Sequence, residues 1–383
     1  MKKNLLAWEE TLFRDPDVFE LSYVPDQFDY RDDQTEALAF AVRPGLRGGK
    51  ILDTVCRGPP ATGKTTSVKK IFELLDDTTE LIYPVHVNCK IDSTEYAVFS
   101  RIYTALTKNA PPASGTSNKQ ILDLLARHIR KTGVQPLICL DDANYLMYDK
   151  QFTNVLYPLL RMHEVFPEIN LGLIVVISDP RIDINENLDV RTRSTFHPEI
   201  VYFPPYSARE IAGILNARVK AGLYPNVLSA EHLDTIVETC MKYGDVRMGL
   251  DLIRRAVMSA EKDARRSVED SDVEHAIAAH LNLHKLDVIG ALSPDELLVL
   301  KTAASLFSPE TSPTTKEVID ALPATGPKST RVSEILNLLE MLGLVDLEYA
   351  TSGAGRRRYV HIHGEKDEFL KLIAAAESPG SKQ

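Results

Sequence analysis

Apolar positions along the chain fall into three patterns. From about Ile51 to Pro204, short runs of consecutive apolar residues alternate with longer stretches at helical spacing. Unbroken apolar runs are expected where both faces of a sheet are covered. They predict parallel strands at Ile51–Arg57, Leu81–Asn88, Pro136–Leu140, Leu171–Ile177 and Glu199–Phe203, joined by crossover helices. From Ser207 to about Leu281 the spacing is wholly helical, with one break at Tyr224-Pro225-Asn226. Ser207 with Glu210, and Ser271 with Glu274, have the spacing of a capping box, where hydroxyl and carboxylate satisfy reciprocal free backbone N–H groups. A third start, Ser293-Pro294-Asp295-Glu296, carries proline at the first helical position and opens a region of short helices and a strand hairpin. The pattern divides the chain into an α/β segment at 1–204, a helical segment at 205–285 and a helix-and-hairpin segment at 291–376. The tail, Glu377–Gln383, is rich in Ser, Pro, Gly and Lys and is predicted to carry no fold.

Composition narrows this picture at a few points. A hydrophobic fraction of 44% over 383 residues supports sizeable cores. The net charge of −10 excludes a uniformly basic nucleic-acid coat and leaves room for a local basic patch. Met1 to Trp8 has no apolar run of signal-peptide length, and Leu171–Ile177 is far too short to span a bilayer, so a soluble cytoplasmic protein is expected. Cys56, Cys89, Cys139 and Cys240 have no paired metal spacing and read as buried free thiols. The ten histidines do not cluster with other metal-ligand types, and no second catalytic constellation supports a metabolic enzyme.

Gly58-Pro59-Pro60-Ala61-Thr62-Gly63-Lys64-Thr65 has the spacing of a phosphate loop, and Thr66 follows it. The loop must curl so that successive backbone N–H groups face phosphate, which glycines permit. Lys64 then reaches the β- and γ-phosphates, the Thr65 hydroxyl ligates Mg²⁺, and the following helix directs its positive end at the anion. The motif follows an apolar strand and opens a run of good helix formers, the context that separates it from a chance match. A second strand ends in Asp141-Asp142. Asp141 is placed to hold the Mg²⁺ shell, and Asp142, a methylene shorter than Glu, to orient an attacking water.

With these motifs in order, the chain from about Phe13 to His363 resembles archaeal origin-recognition initiators, a clade of AAA+ ATPases related to eukaryotic origin-recognition and cell-division-control factors. The resemblance implies an AAA+ parallel sheet with helices on both faces, an all-helical lid and a C-terminal winged helix. It implies that Tyr23-Val24-Pro25 and Arg31-Asp32-Asp33-Gln34 form the base pocket, with Val24 and Arg31 against adenine. Ile177-Ser178-Asp179-Pro180 stands where the family has Ser-Asn-Asp, so the γ-phosphate-sensing Asn is missing or displaced, with Ser178 or Asp179 as substitutes. Arg191 matches the arginine finger, with Arg193 as second candidate, and Arg247 matches the lid sensor that reaches the γ-phosphate.

In the third segment Val332, Ile335, Leu336, Leu339 and Leu342 recur at helical spacing as core positions, on a helix beginning near Ser329 and ending at Gly343. Lys328, Thr330, Arg331 and Ser333 are its early polar residues, the part of a recognition helix that meets base edges. A strand at Leu344–Tyr349, a glycine-containing turn with Arg356, Arg357 and Arg358 at its tip, and a strand at Val360–Ile362 complete a winged helix. Arginines there suit a DNA minor groove, while Glu334, Glu340, Asp346 and Glu348 nearly offset the charge and leave a protein-binding role open. Arg101 and Lys108, in the long connection from Asp92 to about Lys131, are weaker contact candidates. The resemblance implies an initiator that binds ATP or ADP with Mg²⁺, holds origin double-stranded DNA, and helps load the minichromosome-maintenance helicase beside other initiator subunits at the nucleoid. The alternative is an ATP-gated DNA-binding regulator or scaffold without an origin role.

Overall fold

The computed structural model describes residues 11–25, 28–111, 116–308, 311–352, 355–362 and 366–377. The chain forms two compact units, Met1–Glu269 and Asp270–Gln383.

In the first unit α1 (Asp32–Val42) precedes β1 (Thr54–Arg57), α2 (Lys64–Thr78) and β2 (Ile82–Asn88). Two helices follow, α3 (Glu95–Thr107) and α4 (Asn118–Thr132), before β3 (Gln135–Asp141). Then come α5 (Asn144–Tyr148), α6 (Phe152–Leu160), α7 (Met162–Val165), β4 (Gly172–Ile177), α8 (Val190–Arg193) and β5 (Glu199–Tyr202). The strands make one parallel sheet in the order β2-β3-β4-β1-β5. Four of them lie within the predicted runs, and β3 outruns its own by Gln135 and Asp141.

Alternation along each strand explains why both faces are apolar. Val55, Ile138 and Val175 point to one face, where they pack with Phe99 and Ile102 of α3, Leu125 of α4 and Leu156 of α6. Their neighbours Cys56, Cys139 and Val176 point to the other, against Leu38 of α1 and Val68 and Ile71 of α2. Each such fully buried aliphatic side chain contributes about 1.5–3 kcal/mol. The four cysteines are free and buried, as expected.

The unit closes with α9 (Ala208–Gly222), α10 (Ala230–Tyr243) and α11 (Val246–Lys262). Ser207 and Glu210 form the predicted capping box on α9.

The second unit begins with α12 (Asp270–Gly290). The expected cap at Ser271 is not made: the helix already includes Asp270, with Asp270 and Asp272 in its first turn, where acidic side chains favour the helix dipole. There follow α13 (Pro294–Leu306), capped by Ser293 and Glu296 as predicted, and α14 (Thr315–Ala321), capped by Thr314 and Glu317. Next come α15 (Ser329–Met341), β6 (Val345–Ser352), β7 (Gly355–Ile362) and α16 (Lys366–Glu377). Val332, Ile335, Leu336 and Leu339 of α15 sit in one core with Val299 and Leu300 of α13, Val360 of β7 and Phe369 of α16. Helices α13, α14 and α15 followed by the antiparallel hairpin β6–β7 have the order of a winged-helix domain, with α12 before it and α16 after it. Among the described residues no helix is long and apolar enough to cross a membrane. The predicted unfolded tail lies outside the described residues, apart from Glu377.

Candidate functional site

The strand order brings the C-terminal ends of β1, β4 and β3 to one edge of the sheet, the place where open parallel sheets bind ligands. A cavity of about 1210 Å³ lies there. Its lining runs from the N-terminal segment across the loop before α2 to Ala217 and Arg218 of α9 and Arg247 and Leu250 of α11. Of the sequence-predicted residues, Val24, Pro60, Ala61, Thr62, Gly63, Lys64, Thr65, Thr66, Asp141, Asp142 and Arg247 line it.

The loop is shaped by contacts that forbid side chains. A Cβ on Gly58 would stand 2.2 Å from the Phe203 carbonyl oxygen, and one on Gly63 would stand 2.5 Å from the Tyr206 hydroxyl. Gly63 is left-handed at φ 86°, and so is Ala61 at φ 59°. Gly58 and Pro59 form the base of the loop: the Gly58 N–H donates to the Ile177 carbonyl, 3.3 Å away.

Lys64 is buried, and its Nζ donates to the carbonyls of Gly58 (2.9 Å) and Pro59 (2.6 Å) and to Thr62 Oγ1 (3.3 Å). Burial pushes its ammonium down to about 8, against the opposing pull of Asp142 and Asp141. Thr65 Oγ1 donates to Asp141 Oδ1 at 3.0 Å, and Asp141 Oδ2 lies 2.9 Å from His86 Nε2 of β2. One hydroxyl and one carboxylate are a hard-oxygen donor pair suited to Mg²⁺, which completes its shell from phosphate and water. No group of three or more His, Cys, Asp or Glu side chains among the described residues competes for that role.

Asp142 takes a left-handed backbone at φ 53°, and its Oδ1 accepts from Ser178 Oγ at 2.9 Å. Of the two substitutes for the missing Asn, Ser178 therefore meets the second carboxylate. Asp179 lines the same cavity but is held by other partners, Tyr148 Oη (2.8 Å) and Nε and a terminal nitrogen of Arg181 (3.0 Å each). Those bonds, chiefly with Arg181, hold the Asp179 carboxyl well below the usual range.

Asn144 completes the cluster, its Oδ1 accepting from the Ser178 N–H at 3.3 Å. It is buried and lines the cavity, and sequence reasoning passed over it and His86. A lone amide inside Ala143-Asn144-Tyr145-Leu146, and a lone imidazole inside Val85-His86-Val87, were the available signals.

Of the two residues expected against the base, Val24 lines the cavity and Arg31 does not. The Arg31 side chain is 2% exposed. It donates to the carbonyls of Thr62 (2.9 Å), Tyr30 (2.8 Å) and Pro204 (2.7 Å), and its guanidinium stacks 3.7 Å from the Tyr206 ring centroid. Three of its five N–H groups are committed to carbonyls and one face to a ring. Arg247 opens α11, where Asp245 caps its N–H (2.8 Å) and pairs with its guanidinium (2.8 Å).

Arg191 lies outside the cavity lining. It is exposed on α8, and its guanidinium has no hydrogen bond or ion pair among the described residues. Arg193 donates to the carbonyls of Asn185 and Leu188. Of the two finger candidates, Arg191 is the one available to a neighbour.

In the second unit Lys328 and Thr330 are exposed at the start of α15. Ser333 turns its hydroxyl back to the Ser329 carbonyl at 3.2 Å. Arg331 is engaged by Glu334 (3.0 Å) and Glu296 (3.8 Å). The arginines are not at a tip: the antiparallel ladder continues past them, pairing Tyr349 with Arg358, Ala350 with Arg357 and Thr351 with Arg356. The tip itself, 353–354, and the Arg356 side chain lie outside the described residues. Arg357 is exposed, whereas Arg358 is half-buried and donates to Asn337 Oδ1 of α15 at 3.0 Å. Arg101 is paired with Asp92 at 2.8 Å, and the Lys108 ammonium lies 5.3 Å from the Tyr83 ring centroid.

Comparison with known proteins agrees with this anatomy. Residues 212–278 match the Cdc6 AAA+ ATPase-type lid domain and residues 53–183 an AAA domain. ORC1-type DNA replication protein 3 of Haloarcula marismortui is 39% identical over 373 residues, covering 97% of this chain and 98% of the relative. ORC1-type DNA replication protein 2 of Methanothermobacter thermautotrophicus is 34% identical over 351 residues, 92% of each chain. Among solved structures, the ORC1 protein of Aeropyrum pernix in complex with DNA superimposes with a TM-score of 0.73 at 25% identity, covering 96% of this chain and 98% of that one.

Proposed function

The chain belongs to the archaeal ORC1-type family of DNA replication proteins, and from that premise we propose that it binds origin DNA under the control of ATP. ATP with Mg²⁺ occupies the cavity. The phosphates lie on the loop from Gly58 to Thr65, the metal on Thr65 and Asp141, and Arg247 on the γ-phosphate. The observation that carries this reading is that one cavity is lined both by the phosphate loop and by α9 and α11. A ligand touching both parts favours the conformation in which both can reach it, which is how a nucleotide acts as a switch.

Turnover is slow. Asp142 has a short side chain already tied to Ser178, and Arg191 completes a site only on a neighbouring subunit. A finger arginine contributes about 10³–10⁵ in rate, so hydrolysis awaits assembly. On the DNA, Lys328 and Thr330 meet base edges while Arg357 and its neighbours hold phosphate or the minor groove. The protein then works at the nucleoid, helping to recruit the minichromosome-maintenance helicase.

Footprinting in ATP and in ADP, with and without Arg356, Arg357 and Arg358 changed to Ala, tests the reading. Protection should weaken in the triple variant and its salt dependence should flatten. Unchanged protection would assign the wing to protein contacts.

A further inference from the structure

We propose that Arg31 is a positioning residue that ties the phosphate loop to the hinge of the helical lid, so that lid orientation follows what the loop holds. The proposal deepens the nucleotide-switch reading and rests on it.

Arg31 is a buried cation whose direct hydrogen-bond acceptors include three carbonyl oxygens, while the carboxylate of Glu210, in the first turn of α9, acts on its charge. Its partners are carbonyls from three separate segments: its own, at Tyr30; the phosphate loop, at Thr62; and the hinge, at Pro204. Pro204 stands three residues before Ser207, the cap of α9. Tyr206, which stacks on the guanidinium, also abuts the loop at Gly63. The neighbouring Tyr30 bears on α9 directly: a Cβ on Gly213 would stand 2.0 Å from its hydroxyl.

A guanidinium is a rigid planar fork, so its donors cannot follow three carbonyls independently. Movement of one acceptor displaces the whole group or breaks a bond. The Thr62 peptide is the acceptor whose surroundings change when phosphate enters. Lys64 Nζ lies on the Gly58 and Pro59 carbonyls and the Thr62 hydroxyl, and it must turn from them to meet the anion. The resulting shift of the loop passes through Arg31 to Pro204 and Tyr206, at the root of the lid. Lysine cannot replace this fork, because its ammonium is a single point with rotating donors.

The test uses the full-length protein with a donor–acceptor dye pair at Glu80→Cys and Lys242→Cys. Both positions are exposed, and the four native cysteines are buried. Energy transfer is read with and without ATP, and ATP affinity is measured in parallel. The parent should show an ATP-dependent change in transfer. Arg31→Lys should bind ATP within about threefold of the parent and lose at least about half of that change.

A full response in Arg31→Lys overturns the tie and leaves the switch standing. A parent that does not respond refutes the switch, and the tie with it. A folded Arg31→Lys that has lost ATP binding makes Arg31 a binding residue and overturns the assignment. Should Arg31→Lys not fold, Tyr206→Leu takes its place: a diminished response supports the tie and a full one overturns it.

Discussion

Replacing Lys64 with Met should stabilise the ligand-free first unit while abolishing ATP binding. The side chain is 4% exposed, and burial moves its ammonium from 10.5 to about 8. At 1.36 kcal/mol per pH unit that displacement corresponds to about 3 kcal/mol against folding. Below the folded value the lysine is protonated in both states and the full penalty applies. Between about 8 and 10.5 the unfolded chain binds more protons, so stability rises with pH; above 10.5 the penalty is gone. Methionine keeps the stem and removes the charge. The Gly58 and Pro59 carbonyls it leaves behind take water from the adjoining cavity, a loss of about 1 kcal/mol. The variant should therefore gain about 2 kcal/mol near pH 7, and the gain should vanish as pH approaches 10.5. Urea unfolding followed by circular dichroism measures it. The relevant transition is the one that ATP shifts in the parent, by about 2.7 kcal/mol at a hundredfold excess over Kd. A variant no more stable than the parent near pH 7, or a gain indifferent to pH, would refute the reasoning.

Three further outcomes follow from the geometry. Gly58→Ala forces a Cβ against the Phe203 carbonyl, and an overpacking cost of about 1–3 kcal/mol should weaken ATP binding by roughly ten- to a hundredfold, read by titration calorimetry. Arg191→Ala should leave melting and ATP affinity unchanged yet cut hydrolysis at high protein concentration on DNA by about 10³, whereas Arg193→Ala, which loses two carbonyl contacts, should lower the melting temperature. Arg358→Ala should destabilise the second unit by about 1 kcal/mol through the lost Asn337 bond, while Arg357→Ala should spare stability and lower the salt slope of DNA binding by about one.

Features set by backbone chemistry were legible in the chain. The five strands, the phosphate loop and the caps at Ser207 and Ser293 each follow from periodicity or from short-range hydrogen bonding, and all are present. The family was likewise legible, because its motifs run in order along the whole chain. Tertiary contacts were not. Arg31 reads as a base-pocket residue, and nothing local shows that the carbonyls of Thr62 and Pro204, far apart in sequence, converge on it. The gap left by the expected Asn at 178–179 becomes intelligible only when β3 and β4 set Asn144 beside Ser178. Local reading also misjudged the length of the last hairpin, because cross-strand pairing carries Arg357 and Arg358 into β7, where their environments diverge.

Selection of genomic fragments bound by the purified protein with ATP and Mg²⁺ tests the central claim most directly. An origin-binding initiator should recover a discrete set of chromosomal segments in ATP, with enrichment falling in ADP. Uniform recovery across the genome in both nucleotides would contradict it.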